Sequence, residues 1–220
     1  MFSVAERVSK FNRNRKWRLF RRLVRPGPEL SVLDAGFSDA EYSPNDNFLE
    51  KHYPFMDRIT ALGVEEGRLF LKRYPAVQVV TYGGGDFPFA DKTFDVCWSN
   101  AVLEHVGDEA QQAGFLREVS RVSKAAFVST PNRLFPIEVH TRTPILHLVS
   151  NRLFEAYLRR TGREWACGNY MRLLSAEDLG GLLGKAGVRS YRLIRNRLGP
   201  FTLDFVILLG KLASAGHGRA

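Results

Sequence analysis

Two histidines are the residues best suited to acid–base chemistry near neutral pH, because an imidazole gains and loses its proton there. His105 lies in the run Leu-Glu-His-Val, and His140 lies in a segment that also contains Glu138 and Thr141. Either histidine could act as a general base, although His105 could equally shape a pocket. We expect Glu138, His140 and Thr141 to contact a substrate. No spacing of histidine, cysteine and aspartate suggests a set of metal ligands, so we expect no metal site.

The element that must position such groups is the stretch 86–106. Its apolar run at 94–98 predicts a short buried strand, and the polar exit Ser99-Asn100 leads directly into a helix. In open α/β sheets, ligands bind where the carboxyl end of a strand meets the start of a helix. We therefore expect the active site at this edge of a sheet.

The same stretch contains a longer pattern. It runs Phe-Pro-Phe-Ala-Asp-Lys-Thr-Phe-Asp-Val over 87–96 and Ser-Asn-Ala-Val-Leu-Glu-His-Val over 99–106. This pattern closely resembles the signature of small class I S-adenosylmethionine-dependent methyltransferases of the type 11 kind. The resemblance implies an α/β, Rossmann-like fold, with helices on both faces of a seven-stranded, mostly parallel sheet. It also implies S-adenosyl-L-methionine as cofactor and methyl transfer to an oxygen or nitrogen of an unidentified acceptor. That acceptor could be a small molecule or be lipid-linked or saccharide-linked, and the basic N-terminal segment and the aromatic segment 145–187 suggest a lipid-linked or anionic one.

The resemblance further implies which residues contact the cofactor. A strand over 31–36 ends in a small-residue turn that lets the backbone approach the methionine part. Glu65 matches the acid that binds the ribose hydroxyls, although it could instead cap the next helix. Glycines after a strand at 77–81 could line the adenine or form only a flexible turn. The predicted cofactor residues are Asp34, Ala35, Gly36, Glu65, Gly84, Gly85, Asp86, Phe87 and Ser99.

The sequence departs from the family pattern after Gly36. A longer polar loop over 37–47 replaces the glycines that the family pattern has after this position. Ser38, Asn45 or Asn47 could bind the cofactor instead. A nicotinamide dehydrogenase is disfavoured, because it would need Gly-x-Gly-x-x-Gly at this turn. A noncatalytic relative that has lost the cofactor, leaving a scaffold or binding module, therefore stays an alternative.

The net charge of +9 comes from one segment. Nine basic residues and no acid lie between Arg7 and Arg25, whereas the rest of the chain has 23 basic and 23 acidic residues. Apolar residues at helical spacing predict a basic amphipathic helix over 4–25, within an N-terminal segment 1–28. We favour a helix that packs across the sheet and solvates its arginines. The alternatives are peripheral contact with an anionic membrane and, as a weaker candidate, binding of nucleic acid.

Length and composition indicate one domain, since the 220 residues are 45% hydrophobic and 25% charged. The two cysteines, Cys97 and Cys167, offer neither a disulfide framework nor a metal cluster, which favours a reducing, cytoplasmic setting. No signal peptide is predicted, and no apolar run approaches the roughly 20 residues of a membrane-spanning helix.

The remaining elements follow the family order. We expect a methyltransferase-like domain over 29–212, with an aromatic helical cover over 145–187 and a disordered tail over 213–220. A Ser-x-x-Asp sequence at 175–178 predicts a helix start, and Gly187 predicts its end. The further strands are predicted at 58–65, at 125–130 and, as an antiparallel pair, at 188–194 and 201–209.

Overall fold

The structure is a computed structural model that describes residues 4–138, 140–168 and 171–214. Its α-helices are α1 (Val4–Val24), α2 (Phe48–His52), α3 (Arg68–Arg73), α4 (Glu109–Val122), α5 (Leu146–Val149), α6 (Asn151–Arg160), α7 (Ala176–Lys185) and α8 (Lys211–Ser214). Its strands are β1 (Val32–Ala35), β2 (Ile59–Gly63), β3 (Gln78–Thr81), β4 (Val96–Asn100), β5 (Ala125–Pro131), β6 (Ile137–Glu138), β7 (Thr143–Pro144), β8 (Tyr191–Leu198) and β9 (Phe201–Gly210).

Seven of the strands form one sheet in the order β3-β2-β1-β4-β5-β9-β8. Strands β1 to β5 are parallel, and β9 is antiparallel to both of its neighbours, β5 and β8. The predicted seven-stranded, mostly parallel sheet is therefore confirmed. The loop after β5 contains a small hairpin of β6 and β7 that the sequence did not predict.

Both faces of the sheet are covered by apolar layers. One layer combines α4 and α7 with inward residues of the central strands, and includes Leu116, Val119, Leu179 and Leu182. The other combines α1, α2 and α3 with the opposite face, and includes Trp17, Phe20, Phe48 and Phe70. Strands buried on both faces are typical of parallel sheets, which explains why their sequences are continuous apolar runs.

The basic helix α1 packs across the sheet. Trp17 and Phe20 are buried, and Phe20 meets Trp98 and Phe127 edge-on with ring centroids 4.9 and 5.6 Å apart. The expectation concerned the arginines of α1, and the buried cation is a lysine. Lys16 is buried and lies 3.0 Å from the carboxylate of Asp204 on β9.

The predicted helical cover is shorter than expected. Leu179, Leu182 and Leu183 of α7 belong to the core beside α4, so α7 flanks the sheet instead of covering the site. Its predicted start is present as a capping box, in which Ser175 Oγ and the Asp178 carboxylate each accept from the other residue's N–H. The rest of the segment predicted as a cover consists of α5, α6 and a 3-10 turn at Glu164–Ala166, and is called the cover segment below.

The C-terminal boundary also differs from the prediction. Helix α8 ends at Ser214 and buries Leu212 and Ala213, so order extends past the predicted start of the tail at 213. The rest of that tail, 215–220, lies outside the described residues. Among the helices described, none has the length and apolar character needed to cross a membrane.

Candidate active site

A cavity of about 1390 Å³ opens at the carboxyl ends of β1, β2 and β4. Its wall includes Ala35 and Gly36 at the end of β1, Gly63 at the end of β2 and Asn100 at the end of β4. This is the edge at which the sequence predicts a ligand site, because parallel strands end together there. The two candidate histidines, described below, lie in the same wall.

Gly36 turns the chain immediately after β1. Its φ of +113° is unfavourable for a residue with a side chain, and a Cβ at this position would overlap the side chain of Val102. Its N–H donates to the carbonyl of Leu62 over 2.8 Å, which ties the turn to β2. The turn therefore presents backbone, not side chain, to the cavity.

The polar loop that follows is closed by Asn47. The Asn47 Oδ1 atom accepts from the Ser38 N–H over 2.9 Å, and its Nδ2 donates to the Ser38 carbonyl over 2.8 Å. Both residues line the cavity, as the sequence suggested they could. Asn45 does not: it is buried, and its amide donates to Ser9 Oγ. The extra length of the loop is thus used to fold it back on itself.

Glu65 lies at the exit of β2 and lines the cavity. Its Oε2 accepts from the N–H of Asp39, so this carboxylate joins the first loop to the end of β2. It does not cap α3, whose N-cap residue is Gly67. The adjacent Glu66 is paired with Arg68 over 2.6 Å and is not part of the cavity wall.

Gly84, Gly85 and Asp86 form another part of the wall. The two glycines have φ values of +87° and +82°, and a Cβ on either would meet no atom within 4 Å. Glycine is therefore favoured at positions 84 and 85 by the backbone conformation and not by a lack of space for a side chain. The Asp86 carboxylate lies 3.7 Å from the guanidinium of Arg117, which also borders the cavity.

His105 and His140 meet in the cavity wall, with ring centroids 5.0 Å apart. The Nδ1 atom of His140 is 2.9 Å from Oε1 of Glu138, and its Nε2 atom is 3.8 Å from Oε1 of Glu104. A carboxylate accepts only, so Glu138 fixes the tautomer of a neutral His140 with the proton on Nδ1. The Nε2 atom is then the one that can accept a proton.

Glu138 is itself held in place from one side. It is buried, and its Oε2 accepts from both the N–H and the hydroxyl of Thr141 over 2.6 Å. The predicted substrate contacts Glu138 and Thr141 are therefore corrected, because both side chains are buried and neither lines the cavity. Of the three, only His140 reaches the cavity.

The charges around His140 change the acidity of the cluster. Burial would raise the pKa of Glu138, but the hydrogen bonds and charge of His140 outweigh it and lower that pKa to about 2. Burial would lower the pKa of His140, but Glu138 and Glu104 outweigh it and raise that pKa above its ordinary value, with Arg13 opposing them. His140 is consequently a stronger base than a free imidazole.

Sequence reasoning missed two charged residues of this site. Arg13 reaches the cavity from α1. It precedes Trp17 by four residues and Phe20 by seven, so helical spacing alone could have predicted that it lies on the packed face of the helix. Glu104 is fully buried, with Oε2 accepting from the Thr130 hydroxyl over 2.9 Å. Its Oε1 has no hydrogen-bond partner among the described residues.

Comparison with known proteins supports a family assignment. Residues 53–126 match a family model described as a methyltransferase domain. A probable S-adenosylmethionine-dependent methyltransferase of Mycobacterium tuberculosis is 38% identical over 65 residues, which are 28% of this chain and 23% of that protein. The chain thus matches less than a quarter of the length of this curated relative.

Solved structures show the same architecture. A SAM-dependent methyltransferase from Aquifex aeolicus superposes with a TM-score of 0.54 at 15% identity, covering 88% of each chain. The N-terminal domain of EvdMO1, crystallised with SAH bound, gives a TM-score of 0.52 at 17% identity, covering 90% of this chain and 80% of that one. The chain thus has the fold of class I methyltransferases, and its residues 53–126 resemble a methyltransferase domain.

Asp34 does not line the cavity, which corrects its predicted role as a cofactor contact. It is buried and faces Glu50 of α2, close enough for the two carboxyl groups to share a proton. Burial, and then the charge of Glu50, raise the pKa of Asp34 well above its usual value. Alternation along β1 explains the position, because Asp34 shares the face of Val32 while Leu33 and Ala35 belong to the other core layer.

Phe87 and Ser99 are also buried, and neither is part of the cavity wall. The Phe87 ring packs against Phe115, and its N–H donates to Glu118 over 2.8 Å. The hydroxyl of Ser99 donates to the carbonyl of Ala35 over 2.8 Å and so links β4 to β1. Both residues pack behind the cavity wall. Their predicted role as direct cofactor contacts is therefore corrected.

Proposed function

We propose that this protein is an S-adenosylmethionine-dependent methyltransferase that methylates an oxygen or nitrogen of its acceptor. The observation that carries the proposal is the convergence of three features on one cavity: the turn at Gly36, the carboxylate of Glu65 and the imidazole of His140. A turn without side chains can accept a ligand closely, a carboxylate can accept from hydroxyls, and an imidazole can remove a proton.

The residues present fit the cofactor. Gly36 would adjoin the methionine part, Glu65 would accept from the ribose hydroxyls, and Gly84 and Gly85 would border the adenine. The cavity volume of about 1390 Å³ exceeds the roughly 300–1,000 Å³ of ordinary ligand sites, which leaves room for an acceptor beside the cofactor. His105 and His140 would then lie on the acceptor side of the site.

Bound S-adenosylmethionine would supply an electrophilic methyl group on a positively charged sulfur. The protein's part is to align the acceptor with that methyl group and to remove the acceptor's proton. We assign proton removal to Nε2 of His140, with Glu138 holding the ring and Glu104 stabilising the imidazolium that forms. His105 borders the same space and would help to position the acceptor.

The acceptor class is part of the proposal. A small molecule and a lipid-linked or saccharide-linked acceptor are all compatible with the open cavity. We further propose a cytoplasmic site of action, because Cys97 and Cys167 are both free thiols. A noncatalytic scaffold and a nucleic-acid-binding module are the competing functions.

Calorimetric titration with S-adenosylmethionine and S-adenosylhomocysteine tests the proposal. We expect micromolar binding of both, weakened about 10-fold or more by Glu65→Gln, since a hydrogen bond to a charged group contributes roughly 1.5–3 kcal/mol. Glu66→Gln is the matched control, because Glu66 is the adjacent exposed acid and pairs with Arg68 outside the cavity. Folded wild-type protein that binds neither compound would instead favour the noncatalytic scaffold.

A further inference from the structure

The cover segment exposes apolar side chains that a folded protein usually buries. Val149 on α5 is 67% exposed, and Leu153 on α6 is 56% exposed. Ile145, Leu148 and Tyr157 are exposed as well. Large apolar side chains clustered on a surface mark sites of contact with a partner or a membrane.

The exposed face of α6 is distinct from its packed face. Leu153 and Tyr157 are four residues apart and therefore lie on the same side of the helix. Leu158 is fully buried on the other side, so α6 already contributes an apolar residue to the interior. Only Ser150 separates α5 from α6, and the two helices are in contact. The exposed side chains at the end of α5 and the start of α6 are therefore close together in the sequence.

Arginines surround these apolar side chains. Arg152, Arg159 and Arg160 of α6 are exposed, and the guanidinium of Arg163 lies 5.9 Å from the ring centroid of Tyr157. An amphipathic helix with apolar and aromatic residues beside arginines is the arrangement that inserts shallowly into an anionic lipid surface. The complementary partner is thus a bilayer that carries phosphate headgroups of net negative charge.

The arginine-rich helix α1 is less suited to this role. Its large apolar residues Trp17 and Phe20 are buried against the sheet, and Lys16 is neutralised by Asp204. Among the residues of α1 whose burial is described, Phe11 is the one exposed large apolar residue, so this helix offers less apolar surface than α5 and α6. The membrane contact that the sequence suggested for 4–25 is therefore better placed on α5 and α6.

We propose that α5 and α6 form a docking surface for anionic lipid bilayers. The inner side of α6 borders a second cavity of about 540 Å³ through Phe154 and Glu155, and Gln111 lines both this cavity and the larger one. Docking would hold the active site beside the membrane and so favour a lipid-linked acceptor, a consequence that rests on the proposed methyl transfer.

Co-sedimentation with vesicles tests the docking surface in the full chain. We expect binding to vesicles of phosphatidylcholine mixed with phosphatidylglycerol, and much weaker binding to phosphatidylcholine alone. The double variant Val149→Ser/Leu153→Ser should lower the vesicle-bound fraction roughly 10-fold or more, since burying each such side chain contributes about 1.5–3 kcal/mol. Leu69→Ser/Leu71→Ser, which changes two exposed leucines of α3, is the matched control and should bind normally.

A second pair of variants separates charge effects. Arg152→Gln/Arg160→Gln should weaken binding to the anionic vesicles, whereas Arg21→Gln/Arg22→Gln on the exposed side of α1 should change it little. Loss of binding only in the α1 variant would overturn the proposal, as would failure of the wild type to bind. So would a dimer, detected by light scattering, that Val149→Ser/Leu153→Ser dissociates. Vesicle binding needs no cofactor, so this result is independent of the calorimetric test.

Discussion

The Nδ1 atom of His140 lies 2.9 Å from the Oε1 atom of Glu138, and this contact gives the imidazole a defined tautomer. The carboxylate is buried and fully engaged, by His140 on one oxygen and by Thr141 on the other. Such a pair orients the ring and stabilises its protonated form, as in other carboxylate–histidine pairs that remove protons. The geometry assigns distinct functions to two residues that are two positions apart in the sequence.

Replacing Glu138 should change the titration of His140. The groups that face the His140 ring are Glu138, Glu104, Arg13 and His105. The two carboxylates hold the pKa of His140 above its ordinary value. Glu138→Gln removes one negative charge, so the pKa of His140 should fall and the low-pH limb of activity should move to lower pH. Titration of the His140 ring signals by NMR checks this without an acceptor, and His52→Asn is a control that should leave them unchanged.

Replacing His140 itself should reduce methyl transfer without affecting the cofactor. We expect His140→Asn to lower kcat about 10²–10⁴-fold, the usual contribution of a general base, while the Kd for S-adenosylmethionine stays unchanged. The measurement combines calorimetry with transfer of the labelled methyl group once an acceptor is found. An unaltered kcat would show that the proton leaves by another route.

The cluster around Glu104 should not require a metal ion. Glu104, His105 and His140 are close enough to surround a cation, but Arg13 lines the same cavity and carries a positive charge that acts on both Glu104 and His140. We therefore expect added Mn²⁺ to leave the NMR signals of both histidine rings intact. Selective broadening of these signals, relative to those of His52, would instead identify a metal site.

The buried ion pair between Lys16 and Asp204 should matter strongly for stability. Lys16→Met leaves a buried carboxylate without its counterion, which typically costs about 3–5 kcal/mol. Denaturant unfolding should detect this loss, whereas Arg18→Met at the exposed neighbour should stay within about 0.5 kcal/mol of the wild type. The double variant Lys16→Met/Asp204→Asn should recover part of the stability, because no unpaired charge remains.

The carboxyl pair of Asp34 and Glu50 should make stability fall as pH rises. Burial raises the pKa of both groups in the folded state, so the folded protein binds more protons than the unfolded chain above about pH 4. The stability of the protonated pair is complete below that pH and is lost as pH rises through the folded-state values. Asp34→Asn should therefore raise Tm at alkaline pH and have little effect near pH 4. A Tm difference independent of pH would contradict the shared proton.

Much of the fold could be predicted because short apolar runs with polar exits define parallel strands. The runs that became β1, β2, β4 and β5 each lie within about two residues of their predicted bounds. The cavity wall followed from the same exits, since Gly36, Glu65, Asp86 and His105 all lie within five residues of the end of a strand. These features depend on local sequence, which is why they are legible without a structure.

Other features depend on contacts between distant segments. The alternation of side chains along β1 predicts which face of the sheet Asp34 lies on. Only the packing of α2 decides that this face meets Glu50 instead of a ligand. From the sequence alone, Lys16 would be expected to lie in solvent like the other cations of its segment. Its burial requires the carboxylate of Asp204, which lies near the other end of the chain. Helix α7 has the periodicity of a cover helix and of a sheet helix alike, and its contact with α4 determines which it is.

The position of β9 has a consequence for how the protein is made. This strand fills the gap between β5 and β8, although it is the last of the seven to leave the ribosome. Until it arrives, the edge of β5 has unpaired backbone groups, and an exposed edge is a template for association with other chains. A nascent chain halted before Phe201 should therefore be prone to aggregation, and completion of the sheet is a late step of biosynthesis.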